Sequence, residues 1–188
     1  MNVRLIAVTK PVIPEAQTAS DLIAYVARVS NPDNQANTQT APRLLSYLAR
    51  NAHWSPFEHA SMTLEIETTR DIARQILRHR SFFFQEFSGR YAEMPDEPVY
   101  REARLQDHKN RQNSLPCVED SLKQAWDHDQ KHIFDLCWRV YKLALASGIA
   151  KEVARAVLPE GLTQSRLYMT GNVRSWLHYI TIRTDPST

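Results

Sequence analysis

Residues 60–68 (ASMTLEIET) alternate in strict period two, with Met62, Leu64 and Ile66 on one face and Thr63, Glu65 and Glu67 on the other. From Thr69 the period changes to that of a helix, which runs to about Arg78. A half-buried strand passing directly into a helix fixes both kinds of element in one compact chain. Other elements follow from their own signals. Residues 2–9 are rich in β-branched types and read as a strand ended by Lys10-Pro11. Thr18 or Ser20 caps a helix to about Val29, with Leu22, Ile23, Val26 and Val29 on one side. Ser30-Asn31-Pro32 forces a turn, and Pro42 opens a second helix. Residues 81–93 read as a loop or irregular strand, and 95–117 as a polar, proline-punctuated excursion of the functional or mobile kind. Residues 119–147 form the longest helix, with Leu122, Trp126, Ile133, Leu136, Val140 and Leu143 or Ala144 on a stripe, ended by Gly148. A short helix (149–157) stops at Pro159, and a strand (163–169) precedes a helix capped by Asn172.

The chain has 188 residues and a mass of 21.7 kDa, the size of one domain. A compact monomer of this mass exposes about 9,200 Å². Four glycines against ten prolines leave little material for glycine-rich phosphate loops, and neither GxGxxG nor GxxxxGK[ST] occurs. Phosphate binding therefore falls to arginines or helix ends. A net charge of +2 is too mild to imply a nucleic-acid binder. Cys117 and Cys137 lack any CxxC spacing and fit a reducing compartment. No apolar run approaches the roughly 20 residues that cross a bilayer, and the N-terminus lacks a signal-peptide core. The expected location is the cytoplasm, or the host cytoplasm for a viral protein, with no membrane partner.

Arg70, Arg74 and Arg78 share one helix face at four-residue spacing, and like charges there require an anionic counterpart: carboxylates, a phosphate or a partner chain. Arg78-His79-Arg80 is followed by Phe82, Phe83, Phe84 and Phe87 among Gln85, Glu86, Ser88 and Arg90. An apolar wall beside amide, carboxylate and guanidinium groups suits a nucleotide, a flavin or a base stacked from single-stranded nucleic acid. The same phenylalanines also suit a core. Arg174 and His178 share a helix face at i,i+4, whereas Arg183 points elsewhere. His53, Glu58 and His59 invite a metal reading, but their spacing matches no standard site, and His128/His132 lack the glutamate of a zincin. No metal is expected. No GxSxG elbow occurs, and neither cysteine has a nucleophile's context, which disfavours hydrolysis.

Arg78-His79-Arg80 followed after seven residues by Ser88, then Gly89-Arg90-Tyr91, resembles the signature of the flavin-dependent thymidylate synthases, the ThyX family. Further blocks resemble the family in order: residues 27–30 (ARVS), 53–59 (HWSPFEH), 73–75 (ARQ), 152–159 (EVARAVLP) and 172–175 (NVRS) with Arg183. The resemblance spans about residues 3–185. It implies an α/β unit of α+β type, with a central antiparallel sheet flanked by long helices. It also implies reductive methylation of dUMP to dTMP with FAD as redox cofactor, methylenetetrahydrofolate as carbon donor and NADPH as reductant. It further implies a homotetramer with flavin sites at subunit interfaces, and no nucleic-acid partner is expected. Carried over by position, Ser30, His53, Ser55, Glu58, Arg78, His79, Arg80, Asn172, Arg174 and His178 would surround FAD. Gln75, Glu86, Ser88, Gly89, Arg90, Arg155 and Arg183 would surround dUMP. Arg183, Ser88 and His53 are the expected catalytic residues, Ser88 holding the nucleotide rather than attacking it. Residues 162–169 depart from the family's tyrosine–threonine and tryptophan pattern, and His178 stands where the family often has asparagine. The chain ends five residues after Arg183, where the family continues. The expected single domain, residues 1–188, thus lacks a C-terminal helix.

Overall fold

The computed structural model describes residues 1–184; the last four residues of the expected domain lie outside the described residues. Four strands form an antiparallel sheet in the order β1-β2-β6-β3. These are β1 (Asn2–Val8), β2 (Ser61–Thr69), β3 (Phe83–Glu86) and β6 (Gln164–Asn172). The centre is the long β2–β6 pair, in register from Ser61↔Asn172 to Thr69↔Gln164. The two helices that follow these strands directly, α3 (Arg70–Ile76) and α6 (Val173–Thr184), fold back over one sheet face. There Ile66, Leu167, Met169, Phe82, Ala73 and Trp176 make a continuous core. The opposite face is polar. Arg4, Glu65, Tyr168 and Gln85 form one row across all four strands, with Arg4 2.8 Å from the Glu65 carboxylate. The Tyr168 hydroxyl, more than the charges of Arg4 and Arg166, holds the Glu65 carboxyl below its usual range against the opposing effect of burial.

A second cluster joins α1 (Ala19–Ala27), α2 (Ala41–Arg50) and the 3-10 turn Ser55–His59 around Ile23, Leu48 and Phe57. Thr18 and Asp21 make a reciprocal capping box at the start of α1 (2.9 and 3.1 Å). The helix ends at Ala27, so Val29, expected on its apolar side, is exposed. α3 likewise ends at Ile76, two residues short of the expected Arg78, and Arg78-His79-Arg80 lies in the turn beyond it.

Residues 95–117 are ordered by a hairpin of β4 (Arg104–Gln106) and β5 (Ser114–Pro116), whose loop is closed on the Asp107 carboxylate by Lys109, Asn110 and Asn113. The excursion is clamped at Arg101, whose backbone N–H and C=O both bond the buried Gln130 amide (2.7 and 2.9 Å). The Arg101 guanidinium reaches Asp71 at 3.0 Å.

Gln130 belongs to α4 (Asp120–Ala146), which at 27 residues is the one long helix among the described residues. Gly148 ends it with φ +81, a conformation glycine adopts without strain. The short α5 (Lys151–Ala154) and a 3-10 turn (Arg155–Val157) follow. α4 buries Gln130, Phe134 and Tyr141, not the apolar stripe expected from sequence. Leu122, Trp126, Ile133, Leu136, Val140 and Leu143 are exposed, Leu143 by 62%.

Candidate active site

Asn172 ends β6 and caps α6, its Oδ1 accepting the Ser175 N–H at 2.8 Å, while the Val173 N–H bonds the Ala60 carbonyl at 2.9 Å. These bonds set the α6 N-terminus against the Ser55–His59 turn, where Arg174 pairs with Glu58. Between them opens a cavity of about 600 Å³ lined by Trp54, Glu58, Ser81, Asn172, Arg174 and His178. An indole, a guanidinium, an imidazole, a hydroxyl and the positive end of a 12-residue helix meet there. That donor set fits a large aromatic, anionic ligand of the flavin-nucleotide kind. Four of the ten residues grouped around FAD from sequence converge here: Glu58, Asn172, Arg174 and His178. Ser30, past α1, and His53 and Ser55 are exposed and lie outside this lining; the His53 ring stands edge-on to Tyr47. Arg78 and Arg80 are exposed in the turn that leads to Ser81. Trp54, Ser81 and Thr181 also line the cavity and carried no assignment from sequence.

A second cavity, about 260 Å³, is lined by Arg70, Arg74, Arg155, Glu152, Glu160 and Met94, among others. Gly89 backs onto it. A Cβ there would lie 2.4 Å from Met94 Sδ and 3.3 Å from Arg155 Cδ, so this approach needs glycine. Arg90 Nε donates to Glu152 at 3.1 Å, and Arg74 pairs with Glu160. Glu86 accepts from the Ser165 hydroxyl at 2.7 Å. Ser88 is exposed, its carbonyl receiving the N–H groups of Tyr91 and Ala92 (both 3.1 Å). Gly89, Arg90 and Arg155 are therefore brought together. Gln75, exposed on α3, and Arg183 are not part of this lining. Arg70 and Arg74 belong to it without having been grouped with the nucleotide residues; their four-residue spacing was the available signal. Among the described residues, no group of three or more His, Cys, Asp or Glu side chains converges to hold a metal.

The sequence model of the thymidylate synthase complementing protein family matches residues 11–188. The chain belongs to this family, ThyX. It is 52% identical over 188 residues to a probable flavin-dependent thymidylate synthase of Paramecium bursaria Chlorella virus 1, spanning all of this chain and 87% of that one. To the flavin-dependent thymidylate synthase of Synechocystis sp. it is 50% identical over 191 residues, with the same coverage. Among solved structures it is similar to the UMP/dUMP methylase PolB of Streptomyces cacaoi bound with 5-Br dUMP. That match has a TM-score of 0.79 and 29% identity over 95% of this chain and 75% of the other. The ThyX fold, a mixed α/β unit with a central antiparallel sheet flanked by helices, is thus shared.

Within the ThyX signature, His79 does not sit with its neighbours Arg78 and Arg80. Its ring packs edge-on against Tyr179 of α6, centroids 4.7 Å apart, and its Nε2 lies 2.9 Å from Arg183 Nη2. A guanidinium can only donate, so Nε2 must be the acceptor and the imidazole neutral, with its proton on Nδ1. Burial, then the charges of Arg183 and His178, push His79 below the usual histidine value. Arg183, grouped with dUMP from sequence, thus stands beside a residue grouped with FAD. The segment from Ser81 to Met94 links the two cavities, lining the first at Ser81 and the second at Met94.

Proposed function

We propose that the chain is a flavin-dependent thymidylate synthase. It converts dUMP, methylenetetrahydrofolate, NADPH and a proton to dTMP, tetrahydrofolate and NADP⁺, with FAD resident. The observation that carries this reading is that the ThyX signature segment lines an aromatic, helix-capped cavity at Ser81 and backs onto an arginine cavity at Gly89. FAD would be held by Glu58, Asn172, Arg174 and His178, with Ser30, His53, Ser55, Arg78, His79 and Arg80 contributed around the assembled site. When bound, the flavin supplies the two-electron chemistry that completes the new methyl group. Arg90 and Arg155 bind the dUMP phosphate bidentately, Gly89 lets the backbone approach it, and Gln75, Glu86 and Ser88 orient the nucleotide. Arg183 stabilises negative charge at the uracil carbonyls, and neutral His79 holds that guanidinium in place. Neither thiol lines either cavity: Cys117 is buried against the Glu119 carbonyl at 3.7 Å, and Cys137 packs beside Met94 and Tyr141. A nucleotide-attacking cysteine is therefore not part of this reading.

In this reading one working site draws on more than one chain, which accords with Arg183 lying outside the lining that holds Arg155. The isolated chain exposes 12798 Å², more than a third above the roughly 9,200 Å² expected of a compact monomer of its mass. That excess accords with association of copies, which this reading takes to be a homotetramer. The test is an omission assay: dTMP forms only when FAD, NADPH, methylenetetrahydrofolate and dUMP are all present. Product formed without flavin, or methylation of UMP in preference to dUMP, would reject the assignment.

A further inference from the structure

Three guanidiniums, Arg70, Arg74 and Arg155, share a cavity of about 260 Å³ with two carboxylates, Glu152 and Glu160. The carboxylates do not neutralise them evenly. Glu160 holds Arg74, and Glu152 turns to Arg90 at the rim, 3.1 Å away. Among the described residues the side chains of Arg70 and Arg155 make no hydrogen bond or ion pair. Three like charges this close repel unless anions lie between them. With the two carboxylates the five groups sum to +1; with both turned out, three positive charges face whatever enters.

We infer that Glu152 and Glu160 are intramolecular stand-ins for phosphate, occupying the Arg90 and Arg74 guanidiniums until a phosphomonoester dianion displaces them. This rests on the nucleotide reading of the cavity and deepens it, because it makes two acidic residues set the selectivity for a dianion. Both ion pairs are exposed on both sides, so each contributes little and is easily exchanged. A phosphate offers several acceptor oxygens to several forks at once, which a single carboxylate cannot match. The cavity's backbone is fixed by other bonds: Arg70 N–H to the Thr163 carbonyl at 3.0 Å, and Met94 N–H to the Tyr141 hydroxyl at 3.0 Å. The carboxylates can therefore swing out without unfolding the site.

The test titrates dUMP, inorganic phosphate and uncharged deoxyuridine into FAD-loaded wild-type protein and into Glu152→Gln and Glu160→Gln. The expected result is tighter binding of dUMP and phosphate by about 2- to 5-fold in each variant, the scale of one exposed charge pair. Deoxyuridine affinity and FAD content stay unchanged. Unchanged or weaker dUMP binding in both variants overturns the inference, as does an equal gain for deoxyuridine, which would mean a general loosening. Failure of the wild-type protein to bind dUMP at all would instead overturn the nucleotide reading itself.

Discussion

A neutral imidazole beside a guanidinium is a demanding arrangement, and position 79 meets it through burial. Because the folded-state pKa is lowered, the unfolded chain takes up a proton first as pH falls. His79 therefore costs no stability well above about pH 6.5 and progressively destabilises the fold below it. Titrating the His79 ring by NMR should give a midpoint under the ordinary histidine value, rising toward it in Arg183→Ala as one repelling charge is removed. An unmoved midpoint would count against the contact. The same variant should retain FAD but lose methyl transfer by roughly 10²-fold, the scale of losing one charge-stabilising donor; near-normal turnover would remove Arg183 from the chemistry. The RHR and Ser88 block was legible because its residues are neighbours in sequence. The pairings Arg74–Glu160 and Arg174–Glu58 were not, since they join positions 86 and 116 residues apart. No local period encodes such pairings, and the placement of Arg183 on His79 likewise depends on how α6 crosses the sheet.

At the level of elements, the two direct strand-to-helix passages, β2 into α3 and β6 into α6, were both readable. In the first the side-chain period changes from two to 3.6; in the second Asn172 marks the start. The hairpin of β4 and β5 was not, because its strands are three residues each and held largely by polar loop bonds around Asp107. What ties that hairpin's stem to the body is Gln130, buried although polar because its amide satisfies both backbone groups of Arg101. Gln130→Ala should leave the Arg101 N–H unpaired and cost about 1–3 kcal/mol, while the Arg101 carbonyl keeps the Trp126 indole N–H at 3.0 Å. Amide exchange should accelerate across residues 95–117 and not in β2 or β6. Uniform acceleration throughout the chain would show that the clamp is merely part of the core. The α4 stripe is instructive: its apolar period was read correctly, but its destination was not. Trp126, Ile133, Val140 and Leu136, Leu143 recur in the seven-residue pattern of a helix–helix seam. Sequence period reports an apolar face without saying what packs on it.

For the whole molecule, the exposed seam and the excess surface both accord with the proposed association of copies. Val140→Glu should place a charge in that seam and lower the mass seen by light scattering, with flavin occupancy falling alongside. An intact assembly would locate the interface elsewhere. If working sites combine chains, co-refolded Arg155→Ala and Arg183→Ala proteins should recover turnover that neither shows alone. The central claim, flavin-dependent methylation of dUMP, is tested most directly by an anaerobic single turnover. FAD-loaded protein is reduced with NADPH, then mixed with dUMP and methylenetetrahydrofolate while flavin absorbance and dTMP are followed together. The account predicts flavin reoxidation without oxygen, with dTMP formed in step and only when both substrates are present. Flavin that stays reduced with dUMP bound, or reoxidises without forming dTMP, would contradict it.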